Sequence, residues 1–322
     1  MINRELIRLK LVQVLYSYRQ KGLHNPDIAE KELLLSMDKA YDLYNYMLML
    51  MVEVGRMSLR ILEMRESRSK KLHDGVVWSH KFVDNRFILQ LEANKQLRAY
   101  CDEQALSWAD HEEFVRELYN NVEQSEYYQQ YMTSETNSYE EDREVWRLIY
   151  RHLIAGNDKL SELLEDVNVY WNDDRFIVDT FVLKTINRFT EESTTAQPLM
   201  PEYKSDTDRD FATKLLYRSL MGQEYFNSLI GSSTRKWELE RIALMDRIIL
   251  QLGLAEITTF PNIPLSVSIN EYVEIAKMYS TPKSGKYVNA TLDTISKKLI
   301  EEGKLNKDIP HPTSGEETER DN

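Results

Sequence analysis

Few residues of this chain stand at the spacings that catalytic or metal sites need. His111-Glu112 begins like a zinc-protease motif, but Val115 stands where the second histidine is required. The six histidines have no metal-ligand spacing with the single cysteine, Cys101. The sequence has no phosphate-binding loop, dinucleotide fingerprint or nucleophile elbow. We therefore expect a protein that is not an enzyme and needs no metal or cofactor.

Basic residues near the N-terminus are a better candidate for a binding function. Arg4 and Arg8 are four residues apart, so they share a face on a helix, and Lys10 lies slightly off that face. Phosphate attraction is local at physiological salt, so such a cluster can bind nucleic acid although the chain carries a net charge of −12. Charges alone favour the simpler interpretation, a solvated face of an amphipathic helix.

A second candidate is the segment 283–287, which the sequence predicts as the loop before the last helix. The Lys286 amine and the Tyr287 ring would offer a phosphate contact beside a surface on which an unpaired base can stack. The alternative is that Tyr287 packs in the core while Lys286 faces solvent.

Three amphipathic helix patterns position this segment. They cover residues 237–257, 269–279 and 287–299, and Pro261 and Pro264 force a turn after the first.

Polar residues mark the connections between these patterns. Ser268 stands three residues before Glu271, the spacing of a capping box, which predicts a helix start near Ile269. Asn270 and Asn289 are predicted to satisfy backbone groups of the loops.

Composition favours an all-α chain. It contains only 10 Gly and 8 Pro among 322 residues and is rich in helix-forming types. No apolar run reaches the roughly 18 residues of a membrane span, and no signal peptide is visible. One cysteine suits the reducing cytoplasm, so we expect a cytoplasmic protein without a membrane partner.

The C-terminal segment resembles the NusB family of bacterial transcription antitermination factors. The likeness is carried by residues 249–257, 268–277 and 286–293, and residues 12–18 are similar to the first helix of the family. The resemblance covers roughly Asp208 to Leu299 plus that helix, and it implies a NusB-type helical bundle.

The chain is more than twice as long as the part that carries the resemblance. We predict a discontinuous NusB-like RNA-binding bundle, 1–26 and 204–305, with a mostly helical insertion, 27–203, and a disordered tail, 306–322. Apolar periodicity inside the insertion predicts one long helix with a stripe from Leu33 to Met51. It predicts four more helices, at 82–100, 114–131, 145–164 and 176–189.

The resemblance implies a transcription antitermination factor that binds single-stranded boxA-like RNA in ribosomal RNA leader transcripts. The first helix of the family contacts this RNA, and Arg4, Arg8 and Gln13 match its pattern. Lys286 and Tyr287 match a Lys-Phe pair at the family's RNA surface.

The resemblance also implies partners. A NusE-type small ribosomal-subunit protein would contact Glu240 and Asp246, and through it the chain would reach the RNA polymerase elongation complex indirectly. An equally good alternative is that the two carboxylates are ordinary exposed helix residues without a partner contact. Because some family members dimerise, a homodimer is a further expectation.

A helical protein–protein adaptor that has lost strong RNA binding is the alternative. The family's consecutive arginines are absent from the first helix, and residues 102–144 hold 13 acidic against 2 basic side chains. In that case the insertion would be the main interaction surface.

Overall fold

Helices form the regular secondary structure of the chain. The computed structural model describes residues 1–73, 75–171, 173–233 and 242–307. Within these ranges the only β-type pairing is an isolated parallel bridge between Ile2 and Tyr203. The all-α prediction is thus confirmed. No helix in these ranges has the length and apolar character that crossing a bilayer requires.

Fourteen α-helices lie within the described ranges. In the first half of the chain they are α1 (Arg4–Gln20), α2 (Pro26–Leu72), α3 (Arg86–Glu92), α4 (Lys95–Glu103), α5 (Glu112–Gln124), α6 (Glu126–Thr133) and α7 (Tyr139–Ile149). A π-helical turn, Tyr150–Ile154, continues α7. The second half contains α8 (Asp158–Val167), α9 (Arg175–Arg188), α10 (Asp206–Met221), α11 (Gln223–Ser233), α12 (Leu244–Thr259), α13 (Leu265–Tyr279) and α14 (Ser284–Glu301).

The chain divides into two compact units. The terminal unit comprises Asn3–Leu34 and Ser205–Asn322, and the central unit comprises Met1–Ile2 and Leu35–Lys204. Helix α2 begins in the terminal unit and ends in the central unit. The predicted disordered tail lies, from residue 308 on, outside the described residues, as does the predicted helix start at Trp237.

Helix α12 is the core of the terminal unit. Every residue from Ile248 to Ile257 is buried, which is typical of a helix surrounded by others and differs from the expected single apolar stripe. Helices α1, α10, α11, α13 and α14 pack on it. A Cβ atom at Gly253 would lie 3.0 Å from Leu292 Cδ1 and 3.3 Å from Tyr272 Cδ2, so glycine permits this close approach.

The predicted apolar stripe of α2 is confirmed, and all of it except Leu33 lies in the central unit. Its buried members are Leu33, Met37, Ala40, Leu43, Tyr44, Met47, Leu50 and Met51. Helix α9 matches the prediction for 176–189.

The other three helices predicted in the insertion are each broken. Asn94, Ser125 and Asn157 stand at the breaks, where each side-chain oxygen accepts a hydrogen bond from the backbone N–H three residues later, at 3.0, 3.2 and 3.0 Å. Such caps start a new helix. Apolar periodicity continues across each break, so the pattern alone concealed the caps.

Candidate nucleic-acid interface

Helix α1 buries most of the basic residues that were expected on a solvated face. Asn3 caps the helix by accepting a hydrogen bond from the Leu6 N–H at 2.9 Å. Arg8 is only 3 % exposed and Lys10 only 1 %. Arg4 keeps its guanidinium at the surface. The expectation of a basic face shared by Arg4, Arg8 and Lys10 is therefore corrected.

Arg8 is buried because a carboxylate inside the bundle neutralises it. Its Nε and Nη2 donate to both carboxylate oxygens of Glu256, at 2.8 and 2.9 Å, and its Nη1 donates to Glu271 at 3.1 Å. Glu256 also accepts hydrogen bonds from Ser268 Oγ at 2.8 Å and from the Tyr272 hydroxyl at 3.0 Å. The network joins α1, α12 and α13, and almost none of the Arg8 guanidinium reaches solvent.

The electrostatics of the network follow from burial and from its charges. Burial opposes the Arg8 charge, but the hydrogen bonds and charge of Glu256 keep the Arg8 pKa above its ordinary value. Burial raises the pKa of Tyr272 well above its ordinary value, and Glu256 adds to that rise. Burial also raises the pKa of Glu271, which Arg8 opposes.

The predicted capping box at Ser268 and Glu271 is wrong. Helix α13 begins at Leu265, with Pro264 at the N-cap position, so both residues lie inside the helix. Residues three apart share a helix face, and here that face points toward Arg8 and Glu256. The same spacing therefore serves a buried network and not a helix start.

Asn270 and Asn289 also lie within helices and not in loops. Asn270 is exposed on α13 and Asn289 is exposed on α14. Both are surface positions, which differs from the expected role in loop hydrogen bonding.

Arg4 lies at the edge of the terminal unit, above an aromatic ring. Its Nε is 3.6 Å from Asp208, and its guanidinium carbon is 5.0 Å from the centre of the Phe211 ring. Phe211 in turn contacts Phe260, with ring centres 4.7 Å apart and ring planes inclined at 51°. Cation–π contact leaves the guanidinium accessible while restricting its motion.

Gln13 links the exposed side of α1 to the end of α13. Its Nε2 donates a hydrogen bond to the Tyr279 hydroxyl at 2.9 Å. Tyr16, one turn further along, is partly exposed, and Gln20 Nε2 donates to its hydroxyl at 3.0 Å. Tyr16 is a further candidate stacking residue that was not predicted from the sequence. The spacing of residues 13, 16 and 20 was the available signal, since it places them on one helix face.

Lys286 and Tyr287 belong to the first turn of α14, which begins at Ser284, and not to a preceding loop as predicted. Lys286 is exposed and Tyr287 is partly buried. Gly285 packs closely against α13, because a Cβ atom there would lie 3.0 Å from Lys277 Cγ. Backbone N–H groups and the helix dipole favour an anion at such a start.

A buried acid fixes the beginning of α14. Ser284 Oγ donates a hydrogen bond to Asp246 at 2.9 Å and lies 3.0 Å from Ser280 Oγ. Asp246, one of the predicted partner contacts, is only 8 % exposed and sits in the first turn of α12. Glu240, the other predicted contact, lies outside the described residues.

The candidate residues fall into two groups. Tyr279 is the last residue of α13 and precedes Ser284 by five residues, so its hydrogen bond joins Gln13 to the end of α13 that leads into α14. Arg4 precedes Gln13 by nine residues, which is about 14 Å along the axis and about half a turn around it. Gln13 is thus connected through Tyr279 to the segment that carries Lys286 and Tyr287, whereas Arg4 lies at the N-terminal end of α1.

Comparison with known proteins identifies the family. The model of the NusB family matches residues 180–297. The transcription antitermination protein NusB of Salinibacter ruber is 38 % identical over 117 residues, which cover 36 % of this chain and 73 % of the relative. The chain belongs to the NusB family. The NusB proteins of Dictyoglomus turgidum and Dictyoglomus thermophilum are 36 % and 40 % identical, over 72 % and 59 % of their lengths. None of the solved structures matches the chain.

The NusB-family match has bounds that differ from those of the resemblance. It starts inside α9, within the segment predicted as insertion, and α1 lies outside it. The named relatives support transcription antitermination as the class of function. In the part of the chain that the structure describes, no cluster of three or more histidine, cysteine or carboxylate side chains is arranged to hold a metal ion.

Proposed function

We propose that this chain is a transcription antitermination factor that binds single-stranded boxA-like RNA of ribosomal RNA leader transcripts. Its RNA surface would comprise Gln13 and Tyr16 on α1 together with Lys286 and Tyr287 on α14. The Gln13–Tyr279 hydrogen bond carries this proposal, because it joins the two halves of the surface. Unpaired bases stack on exposed aromatic rings, and lysine neutralises phosphate.

Arg4 and Arg8 take different roles in this proposal. The exposed Arg4 guanidinium would contact a phosphate at the point where the RNA strand extends beyond the main surface. Arg8 would act indirectly, since its donors are directed at Glu256 and Glu271 and it holds α1 in place.

The proposal includes a NusE-type small ribosomal-subunit protein that raises RNA affinity, and an indirect link to the RNA polymerase elongation complex. The face of α12 near Asp246 would support this partner, with Glu240 as the contact charge. We also assign RNA binding to a discontinuous bundle, 1–26 and 204–305, and treat 27–203 as the insertion.

Fluorescence anisotropy with a boxA-like oligonucleotide, with and without the NusE-type protein, tests the function. Lys286→Ala should weaken binding and reduce the salt dependence by about 0.7 in the logarithmic slope, the effect of one phosphate contact on a single strand. Lys298→Ala, also exposed on α14 but near its other end, is the matched control. Equal affinity of both variants would contradict the proposed surface.

A protein–protein adaptor without strong RNA binding is the second candidate. The observation that favours it is the burial of Arg8 and Lys10, which removes two positive charges from the surface of α1. Absence of RNA binding at low salt, with the partner present, would decide for the adaptor.

A further inference from the structure

The central unit contains a cleft of about 550 Å³ that the proposed RNA surface does not use. Helices α2, α5 and α6 and the segment 77–83 line it. Four aromatic side chains contribute: Trp78, Phe82, Tyr119 and Tyr128. Phe82 and Tyr128 contact each other with ring centres 4.9 Å apart. A concave site of this size that combines aromatic and aliphatic side chains with a few polar groups is typical of places that accept a ligand or an anchoring side chain.

Two polar groups of the cleft, the Arg65 guanidinium and the Trp78 indole N–H, differ in whether they have a hydrogen-bond partner. Arg65 forms a two-pronged ion pair with Glu123, with Nη2 2.8 Å from Oε2, and its guanidinium lies 5.2 Å from the centre of the Trp78 ring. The indole N–H of Trp78 is buried, yet it has no acceptor among the described residues. Buried indole N–H groups normally find an acceptor, so a carbonyl oxygen from an occupant would complete this site.

The rim of the cleft is aliphatic and exposed. Val77, which lines the cleft, is 93 % exposed, and Leu72 and Val76 beside it are also exposed. The segment is nevertheless anchored, because Ser69 Oγ donates to the Val76 carbonyl at 3.2 Å and Lys81 Nζ donates to the Ser134 carbonyl at 2.9 Å. Exposed apolar side chains held in place next to a pocket indicate a protein interaction site.

The last turns of α2 add positive charge to this rim. Arg68, Lys70 and Lys71 are exposed, and none of them has an ion-pair partner in the described part of the chain. Arg56, further back on the same helix, is paired with Glu53 and Glu92. Glu63 and Glu66 lie about one turn earlier and line a surface hollow together with Lys70 and Lys71. Residues 67–72 nevertheless hold three basic and no acidic side chains, so the end of the helix carries a net positive charge that would attract carboxylates.

A protein segment fits these features better than a nucleic acid. The basic end of α2 attracts phosphate as well as carboxylate, but Val76 and Val77 offer no polar contact to ribose, and Arg65 already occupies one face of the Trp78 ring, on which a base would stack. Aromatic and aliphatic anchors in a pocket, surrounded by complementary charges, are typical of protein–protein hot spots.

We propose that this cleft is the docking site for an acidic segment of a protein partner. The segment inserts an aromatic or large aliphatic side chain into the cleft, offers a backbone carbonyl to the Trp78 indole N–H, and places carboxylates near Arg68, Lys70 and Lys71. The site is independent of the RNA surface, so it stands whether or not the chain binds RNA.

Selection of a random 12-residue peptide display library on the full chain tests the proposal. The enriched peptides should share one aromatic or large aliphatic residue flanked by Asp or Glu. Their affinity should fall at least about tenfold in Val77→Asp, the range of a hot-spot contact, and also in the double variant Arg68→Glu/Lys71→Glu. Val169→Asp and Lys95→Glu/Arg151→Glu, which change exposed residues elsewhere in the central unit, should bind within about twofold of the parent chain.

Three outcomes would overturn the proposal. The first is a library that yields no acidic-apolar peptide, and the second is a selected peptide that binds Val77→Asp as tightly as the parent. The third is a 12-nucleotide oligouridylate whose binding is weakened by the cleft variants while peptide binding is unchanged. Urea unfolding of each variant checks that it is folded, which the exposure of Val77 leads us to expect.

Discussion

Arg8 and Glu256 are 248 positions apart in the chain and form a buried ion pair in which two guanidinium nitrogens meet both carboxylate oxygens. The pair fixes α1 against α12, the core helix of the terminal unit. Because Gln13 follows Arg8 on the same helix, the ion pair also determines where Gln13 meets Tyr279. A residue without solvent access can thus position the surface proposed to bind RNA.

Glu256→Gln should lower the free energy of unfolding by about 3 kcal/mol, the lower end of the cost of breaking a buried ion pair, because Glu271 still neutralises part of the Arg8 charge. Arg8→Met should be similarly destabilising, and the double variant Arg8→Met/Glu256→Gln should lose less than the two single losses together. Urea denaturation measures all three. A loss below about 1 kcal/mol in each single variant would mean that the pair behaves like an exposed one.

Substitutions of Arg4 and Arg8 should differ in their effect on stability, although the sequence predicted the two residues on one helix face. Arg4→Ala should weaken RNA binding with a stability change within about 0.5 kcal/mol, as expected for an exposed side chain. Arg8→Met should lower stability strongly and should also weaken RNA binding, because α1 is then held less firmly against α12 and α13. Anisotropy titrations and urea unfolding on both variants distinguish the roles, and a loss of RNA affinity in Arg8→Met without a loss of stability would indicate direct RNA contact by Arg8.

The sequence predicted helices well where one apolar period runs without a polar interruption. The α2 stripe and α9 are examples, since burial of a regular face determines both. It failed at Asn94, Ser125 and Asn157, where a single capping oxygen outweighs the apolar pattern.

The candidate site was predictable only in part. Lys286 is exposed as expected, but the burial of Arg8 could not be read from the chain, because its partner Glu256 is distant in sequence. The three-residue spacing of Ser268 and Glu271 fits either a helix cap or one face inside a helix, and only the packing of the folded chain distinguishes the two. Tyr16 was overlooked because an aromatic residue in a helix pattern is usually core.

Glu271 predicts a pH dependence of stability. Burial raises its pKa above the ordinary value, so the folded state binds a proton more tightly than the unfolded state at this group. Between the ordinary value of 4.5 and the raised one, the contribution of Glu271 to stability therefore falls as pH rises.

Glu271→Gln should remove this slope. Its stability relative to the parent should increase between pH 4.5 and neutral, by no more than about 1 kcal/mol, because the carboxylate is partly exposed and Glu256 still neutralises Arg8. Urea unfolding at several pH values measures the difference. A parent chain that gains stability over Glu271→Gln with rising pH would contradict the sign.

The contact between α1 and α13 can be weakened without changing a charge. Tyr279→Phe removes the hydroxyl that accepts from Gln13, which should cost about 0.5–1.5 kcal/mol of stability. RNA affinity should fall as well, because the exposed side of α1 is then less firmly held beside α14. Tyr217→Phe, which removes a hydroxyl that donates to Asp27 and Glu30 elsewhere in the terminal unit, is the matched control and should leave RNA affinity unchanged. Unchanged affinity in Tyr279→Phe would mean that the contact does not organise the surface.

Cys101 reports on the central unit, because it is the single cysteine of the chain and lies buried in α4. Burial, with smaller contributions from Asp102 and Asp42, raises the pKa of its thiol to about 12. The thiolate is the reactive form, so at pH 8 the native chain should react with a disulfide reagent at least about a hundredfold more slowly than an exposed thiol. Unfolding in urea should release one reactive thiol per chain. Rapid reaction of the native protein would show that α4 opens from the central unit, whereas slow reaction that accelerates in parallel with urea unfolding would mean that the helix leaves the core only when the whole unit unfolds.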